Sequence, residues 1–135
     1  MPAATRPSST ESKFRLLYLG SDLELVAALR KVLTEPGYRL VTCSDRESAI
    51  LFLKSEIPYD LLLIDLEWRG MEGLKLARLA HSLRHRKRMP TILVAANELS
   101  SRLKVLARKA GVNKCLMKTG DMGAVSEAIR QMIEG

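Results

Sequence analysis

Cysteine is scarce in this chain: only Cys43 and Cys115 are present, far apart and without the spacing of a metal site or a redox pair. A disulfide scaffold and a cysteine-rich zinc module are therefore excluded, and two buried thiols in a reducing cytoplasm are expected. No apolar run approaches the roughly 18 residues that a membrane span needs. The first dozen residues, MPAATRPSSTES, lack both periodicity and the apolar stretch of a signal peptide. Residues 1–12 read as a disordered tail ahead of one folded domain over residues 13–135. There is no internal repeat, no further domain boundary and no other low-complexity segment.

What is present is a globular composition, 47% hydrophobic and 27% charged over 135 residues, enough for one core. A soluble protein is expected. The formal net charge of +7, from 22 Lys and Arg against 15 Asp and Glu, favours anionic partners without bearing on fold.

The order of apolar runs and helical spacings is regular. FRLLYL, ending at Leu19, is a short buried run closed by Gly20 and Ser21. Ser21 with Glu24 has the form of a capping box, and Leu25, Ala28, Leu29, Val32 and Leu33 follow at helical spacing up to Pro36. RLVTC then reads as a second strand, with Ser44 and Glu47 as a second capping box before SAILFLKS. DLLLID, ending at Asp65, is apolar between its terminal acids, as a central parallel strand covered on both faces should be. Helical spacing over Leu74, Ala77, Ala80 and Leu83 precedes the strand TILVAA. Leu103, Leu106, Ala107 and Ala110 mark a fourth helix, with Gly111 at its C-terminal cap. KCLMK and the apolar stripe from Val125 to Ile133 complete five strand-helix pairs. Strict alternation predicts an α/β fold, an open parallel sheet with helices on both faces. Ligands of such folds bind beyond the carboxyl ends of the strands.

The residues at those ends are Gly20, Ser21 and Asp22 after the first strand, Asp65 and the loop LEWRGMEG after the third, Ala95 and Ala96 after the fourth, and Lys118 after the fifth. This pattern, over about residues 14 to 134, resembles the receiver domain of bacterial response regulators. The resemblance implies a flavodoxin-like doubly wound sheet of five strands in the order 2-1-3-4-5 with five helices. It also implies a signalling module rather than an enzyme, with Asp65 as phosphoacceptor and Lys118 in contact with the phosphoryl group. A carboxylate can act as nucleophile toward phosphorus, and a lysine ammonium is a compact counter-charge. In the implied strand order Cys43 and Cys115 lie on opposite edges, too far apart for a bridge.

The departures point to a degenerate receiver. Two acidic residues that help bind magnesium follow the first strand in the family, and here Gly20 and Ser21 stand there. Asp65 and the Glu67 backbone carbonyl remain as a weak metal site, because magnesium demands near-octahedral oxygen ligation. Asp22, one residue late, is a substitute acid or simply a first-turn residue favoured by the helix dipole. The family's Thr or Ser at the end of the fourth strand is Ala95, its aromatic switch in the fifth is Cys115, and its proline after the lysine is Thr119. No cofactor is expected, and magnesium only if the chain is a conventional receiver phosphorylated on Asp65.

The partners implied are signalling proteins: a histidine kinase, a phosphotransfer protein or a downstream effector. The acid-free stretch RLAHSLRHRKR suggests in addition an acidic partner at Arg84, Arg86, Lys87 and Arg88, or a solvated helix end. With no interleaved aromatics, sequence-specific nucleic-acid binding is not expected. His81 and His85 are four apart but have no further ligand type nearby for zinc. Trp68, the only tryptophan, either covers the pocket, packs on a neighbouring loop or is exposed for recognition. A flavodoxin-like cofactor binder is disfavoured, since LGSDLE is too short and too acidic to cradle a phosphate. The chain is read as cytoplasmic, and as either a stand-alone regulator or part of a longer protein.

Overall fold

A computed structural model describes residues 14–33, 37–68, 72–118 and 122–134. The expected tail over residues 1–12 and Thr119 lie outside the described residues. The elements run β1 (Phe14–Leu19), α1 (Leu23–Val32), β2 (Tyr38–Cys43), α2 (Arg46–Lys54), β3 (Leu61–Asp65), α3 (Glu72–Ser82), a single 3₁₀ turn (Arg84–Arg86), β4 (Thr91–Ala95), α4 (Ser101–Lys109), β5 (Lys114–Met117) and α5 (Met122–Glu134). All neighbouring strands pair in parallel, in the order β2-β1-β3-β4-β5. This is the predicted topology, and it puts the free thiols of Cys43 and Cys115 on opposite edge strands.

The period-two alternation of the strands divides the core. Leu16, Tyr18, Leu61, Leu63, Ile92 and Val94 face α1 and α5, meeting Leu25, Leu29, Val125 and Ile129. Leu17, Leu19, Leu62, Ile64 and Leu93 face the other way, toward Ala49 and Leu53 of α2, Leu76, Ala77 and Ala80 of α3 and Ala107 of α4. With helices on both faces, every residue of β3 and β4 is buried. No helix among the described residues is long and apolar enough to cross a membrane.

The helix starts differ from the sequence expectation by one residue. Asp22, not Ser21, caps α1, its Oδ1 accepting the Leu25 N–H at 3.0 Å. Asp45, not Ser44, caps α2 and accepts the Ser48 N–H at 3.1 Å. Serine and aspartate are nearly equal N-caps, so composition could not choose between adjacent ones, and the backbone exit from each strand did. Gly111 does follow the α4 C-cap, at a φ of 98°.

The basic stretch after α3 is also corrected. Arg86 is only 3% exposed, so it is neither solvated nor available to an acidic partner. Its guanidinium donates to the carbonyls of Leu53 (2.9 Å), Phe52 (3.1 Å) and Ser55 (2.9 Å) at the end of α2, and lies 4.9 Å from the centre of the Tyr59 ring. It thus closes the carbonyl end of a helix 33 residues earlier in the chain, where a cation complements the dipole. Burial lowers its pKa from the usual arginine value.

Candidate functional site

The carboxyl edge of the sheet gathers Asp65, Lys118, Asp22 and Glu67, together with Tyr18, which the sequence reading left in the core. Asp65 ends the central strand and is 3% exposed. Gly73, in the first turn of α3, lets the helix close against this end: a Cβ there would lie 2.9 Å from the Asp65 carbonyl oxygen and closer still to Ile64 Cγ2. Trp68, three residues past Asp65, is buried in the apolar cluster under α2, α3 and α4, and its backbone N–H donates to the Asp65 carbonyl at 3.3 Å. Trp68 is therefore a packing residue, and its use as an exposed recognition contact is excluded.

Lys118 follows β5, anchored by its N–H to the Ala95 carbonyl at 2.8 Å. Its ammonium donates to Asp65 Oδ2 at 2.7 Å and to Asp22 Oδ2 at 3.0 Å, and lies 3.6 Å from Glu67 Oε1. The Tyr18 hydroxyl donates to the same Asp65 Oδ2 at 3.1 Å, and in turn accepts the Asp22 N–H at 3.2 Å. Asp65 Oδ1 accepts the Glu67 N–H at 3.2 Å. Glu67 Oε2 accepts the Ala96 N–H at 3.0 Å, so this side chain reaches from the loop after β3 to the loop after β4. Three carboxylates surround one ammonium.

The protonation states follow from these bonds. Asp22 is held below its usual carboxylate pKa by the Leu25 N–H, with burial opposing and Lys118 adding to the effect. Burial acts against the charge on Lys118, but its bonds to Asp65 and Asp22 outweigh that and raise its pKa. Burial pushes the Tyr18 phenol far above its ordinary value; the Asp22 N–H works the other way and the Asp65 charge reinforces the rise. Tyr18 is thus a neutral donor at any ordinary pH.

These residues do not fit a magnesium ion. Gly20 has no side chain, Ser21 is exposed, and Ala95 is a buried methyl. Asp65 Oδ2 already accepts from Lys118 and Tyr18, and the Lys118 ammonium stands among Asp65, Asp22 and Glu67 where a cation would have to sit. Among the described residues no group of three or more His, Cys, Asp or Glu is arranged to hold a metal. His81 and His85 are separately engaged, His81 with the Lys87 carbonyl and Thr91 Oγ1, His85 with the Ser55 carbonyl. Cys115 is half-buried against the core, and burial raises its pKa.

At the opposite, amino edge of the sheet, exposed Arg84, Lys87 and Arg88 line a shallow depression of about 430 Å³ with Tyr59 and Pro90. It is remote from Asp65.

The family described as response regulator receiver domain matches residues 21–130. The signal transduction histidine-protein kinase BarA of Escherichia coli, and likewise that of Shigella flexneri, is 27% identical over 117 residues, 83% of this chain. The chain spans 12% of the length of those relatives. Among solved structures, a CheY-like receiver domain protein from Methanospirillum hungatei superposes with a TM-score of 0.76 at 24% identity, covering 90% of this chain and 94% of that one. The receiver domain of a sensor histidine kinase from Pseudomonas aeruginosa, solved with magnesium in its active-site cleft, gives 0.75 at 20% identity, covering 90% and 98%.

Proposed function

The chain belongs to the response regulator receiver domain family, and on that premise we propose that it is a degenerate receiver, recognised by its signalling partner without metal-dependent phosphorylation. The observation that carries this reading is the state of Asp65. Its Oδ2 is held by Lys118 and Tyr18 and its Oδ1 accepts the Glu67 N–H, so an attack on phosphorus must give up part of this hydrogen bonding with no metal ligand at Gly20 to offset it. The surroundings add to it. Asp22, Asp65 and Glu67 against Lys118 leave the pocket net negative, which opposes an incoming phosphoryl group. No hydroxyl stands at Ala95, and the Ala96 N–H is taken by Glu67.

A conventional receiver, phosphorylated on Asp65 by a histidine kinase or phosphotransfer protein, is the second reading. The 2.7 Å contact between Asp65 and Lys118 favours it, since that pairing is also what a working pocket requires. In both readings the partner is a signalling protein: a histidine kinase, a phosphotransfer protein or a downstream effector. Exposed Arg84, Lys87 and Arg88 supply a basic surface for an acidic partner. Arg86, buried at the end of α2, is not part of it. We place the domain in the cytoplasm, where such partners act.

Magnesium titration followed by amide NMR separates the two readings. On the degenerate reading the amides of Asp65, Glu67 and Lys118 do not shift at millimolar magnesium. Saturable shifts confined to those amides would restore the conventional one.

A further inference from the structure

We infer that Tyr18 and Gly20 form a matched pair, in which the phenol fills the space of the missing side chain at position 20 and so places a hydroxyl donor beside Asp65 instead of a metal ion. The inference rests on the degenerate reading and supplies its physical cause. Residues 18 and 20 are two apart on a strand and its exit, so they project to the same side. Tyr18 is fully buried on the α1 and α5 face, yet its hydroxyl reaches the edge of the sheet and bonds Asp65 and the Asp22 N–H. It can do so only because nothing projects from Gly20. A Cβ there would lie 2.6 Å from Tyr18 Cζ and 2.8 Å from Asp65 Cβ, and closer still to the Tyr18 hydroxyl oxygen.

The two positions are therefore coupled. A carboxylate introduced at position 20 alone collides with the phenol and must break the Tyr18–Asp65 bond to fit. Shortening Tyr18 alone opens space and supplies no ligand. Only the two changes together take the phenol out of the path of a carboxylate beside Asp65, whose own Cβ, 2.8 Å from the added one, must then give by a few tenths of an ångström. The phenol donates to Asp65 Oδ2 at 3.1 Å, on the carboxylate from which a metal would withdraw charge. Tyr18 is in this sense a specificity-determining residue.

The test is calorimetric titration with magnesium of the full chain, of Gly20→Asp, of Tyr18→Leu and of the double variant, with circular dichroism to confirm folding. The full chain and both single variants should show no saturable binding, and the double variant one-to-one binding. The gain should be at least about tenfold, since even groups outside the ligand shell change metal affinity by roughly 10- to 100-fold. A folded double variant that binds no better than the full chain would overturn the inference and leave the degenerate reading standing. Binding by Gly20→Asp equal to that of the double variant would also overturn it. Binding by the unaltered chain would remove the reading beneath it. A second, metal-free cycle guards against misfolding of the double variant. Gly20→Ala should shift the denaturation midpoint strongly in the Tyr18 background and much less in the Tyr18→Leu background, whereas equal shifts in both would show that the phenol does not occupy that space.

Discussion

Arg86→Ala is expected to lower the stability of the domain by about 3 kcal/mol. The Leu53 carbonyl would lose its charged donor inside the core, while those of Phe52 and Ser55 keep other donors, from Ser55 and His85 respectively. Hydrogen bonds to charged groups contribute roughly 1.5 to 3 kcal/mol each, and the buried cation over Tyr59 adds to that. The loss of a charge that is costly to bury offsets part of the sum. Arg86→Lys should fall between, because an ammonium cannot span three carbonyls as a planar fork does. Urea denaturation reads the result: a shifted midpoint at unchanged slope is expected, and a change below about 0.5 kcal/mol would mean that the arginine is an ordinary surface residue.

Lys118→Ala should cost a similar amount for a different reason. It leaves the buried Asp65 carboxylate without its cation, and removing one partner of a buried pair typically costs about 3 to 5 kcal/mol. The lower end applies, because the Tyr18 hydroxyl and the Glu67 N–H still bond Asp65. Adding Asp65→Asn should recover much of the loss, giving a clear interaction energy in the double-mutant cycle. The pH dependence follows from the same bonds. The raised pKa of Lys118 stabilises the fold fully below the ordinary lysine value of about 10.4, and that contribution disappears as pH rises through the raised value. The lowered pKa of Asp22 contributes above the ordinary carboxylate value of about 3.9, and is lost as pH falls through the depressed one. Stability of the unaltered chain should therefore be level from the ordinary carboxylate value up to the ordinary thiol value of about 8.5, and Lys118→Ala should lessen the alkaline decline, to which the raised pKa values of Cys115 and Tyr18 also contribute. A variant that keeps the full decline would assign it to another group.

The sheet was legible because its signals are local. LLLI between Asp60 and Asp65 can be only a strand covered on both sides, and Asp65 stands out as the acid that ends it. Lys118 was legible in the same way, at the end of KCLMK. The residues that were misplaced act across the fold. Arg86 sits among five basic residues, and nothing in that run reveals that the end of α2, some 30 residues earlier, needs a cation. Trp68 owes its place to burial among residues of α2, α3 and α4, which no local pattern around it encodes.

Tyr18 is the instructive omission. Within FRLLYL it reads as one more core residue, which its ring is. Its hydroxyl matters because of two other positions, Gly20 and Asp65. The signal available in advance was the glycine itself, two residues after the tyrosine and on the same side of the strand. A position that has lost its side chain leaves a volume, and the nearest large neighbour is the first place to seek what fills it.

The most direct test of the central claim is intact-mass measurement after the chain is incubated with magnesium and acetyl phosphate, with Asp65→Asn as control. Phosphorylation would require one Asp65 oxygen to give up part of its bonding to Tyr18 or the Glu67 N–H, in a pocket whose other carboxylates repel the donor. Loss of a single preorganised donor at such a centre costs roughly 100- to 1,000-fold in rate, and here the Ala95 methyl and the occupied Ala96 N–H remove two. The account predicts an unchanged mass. A gain of one phosphoryl group in most molecules, abolished by Asp65→Asn, would contradict it and make this chain a conventional receiver.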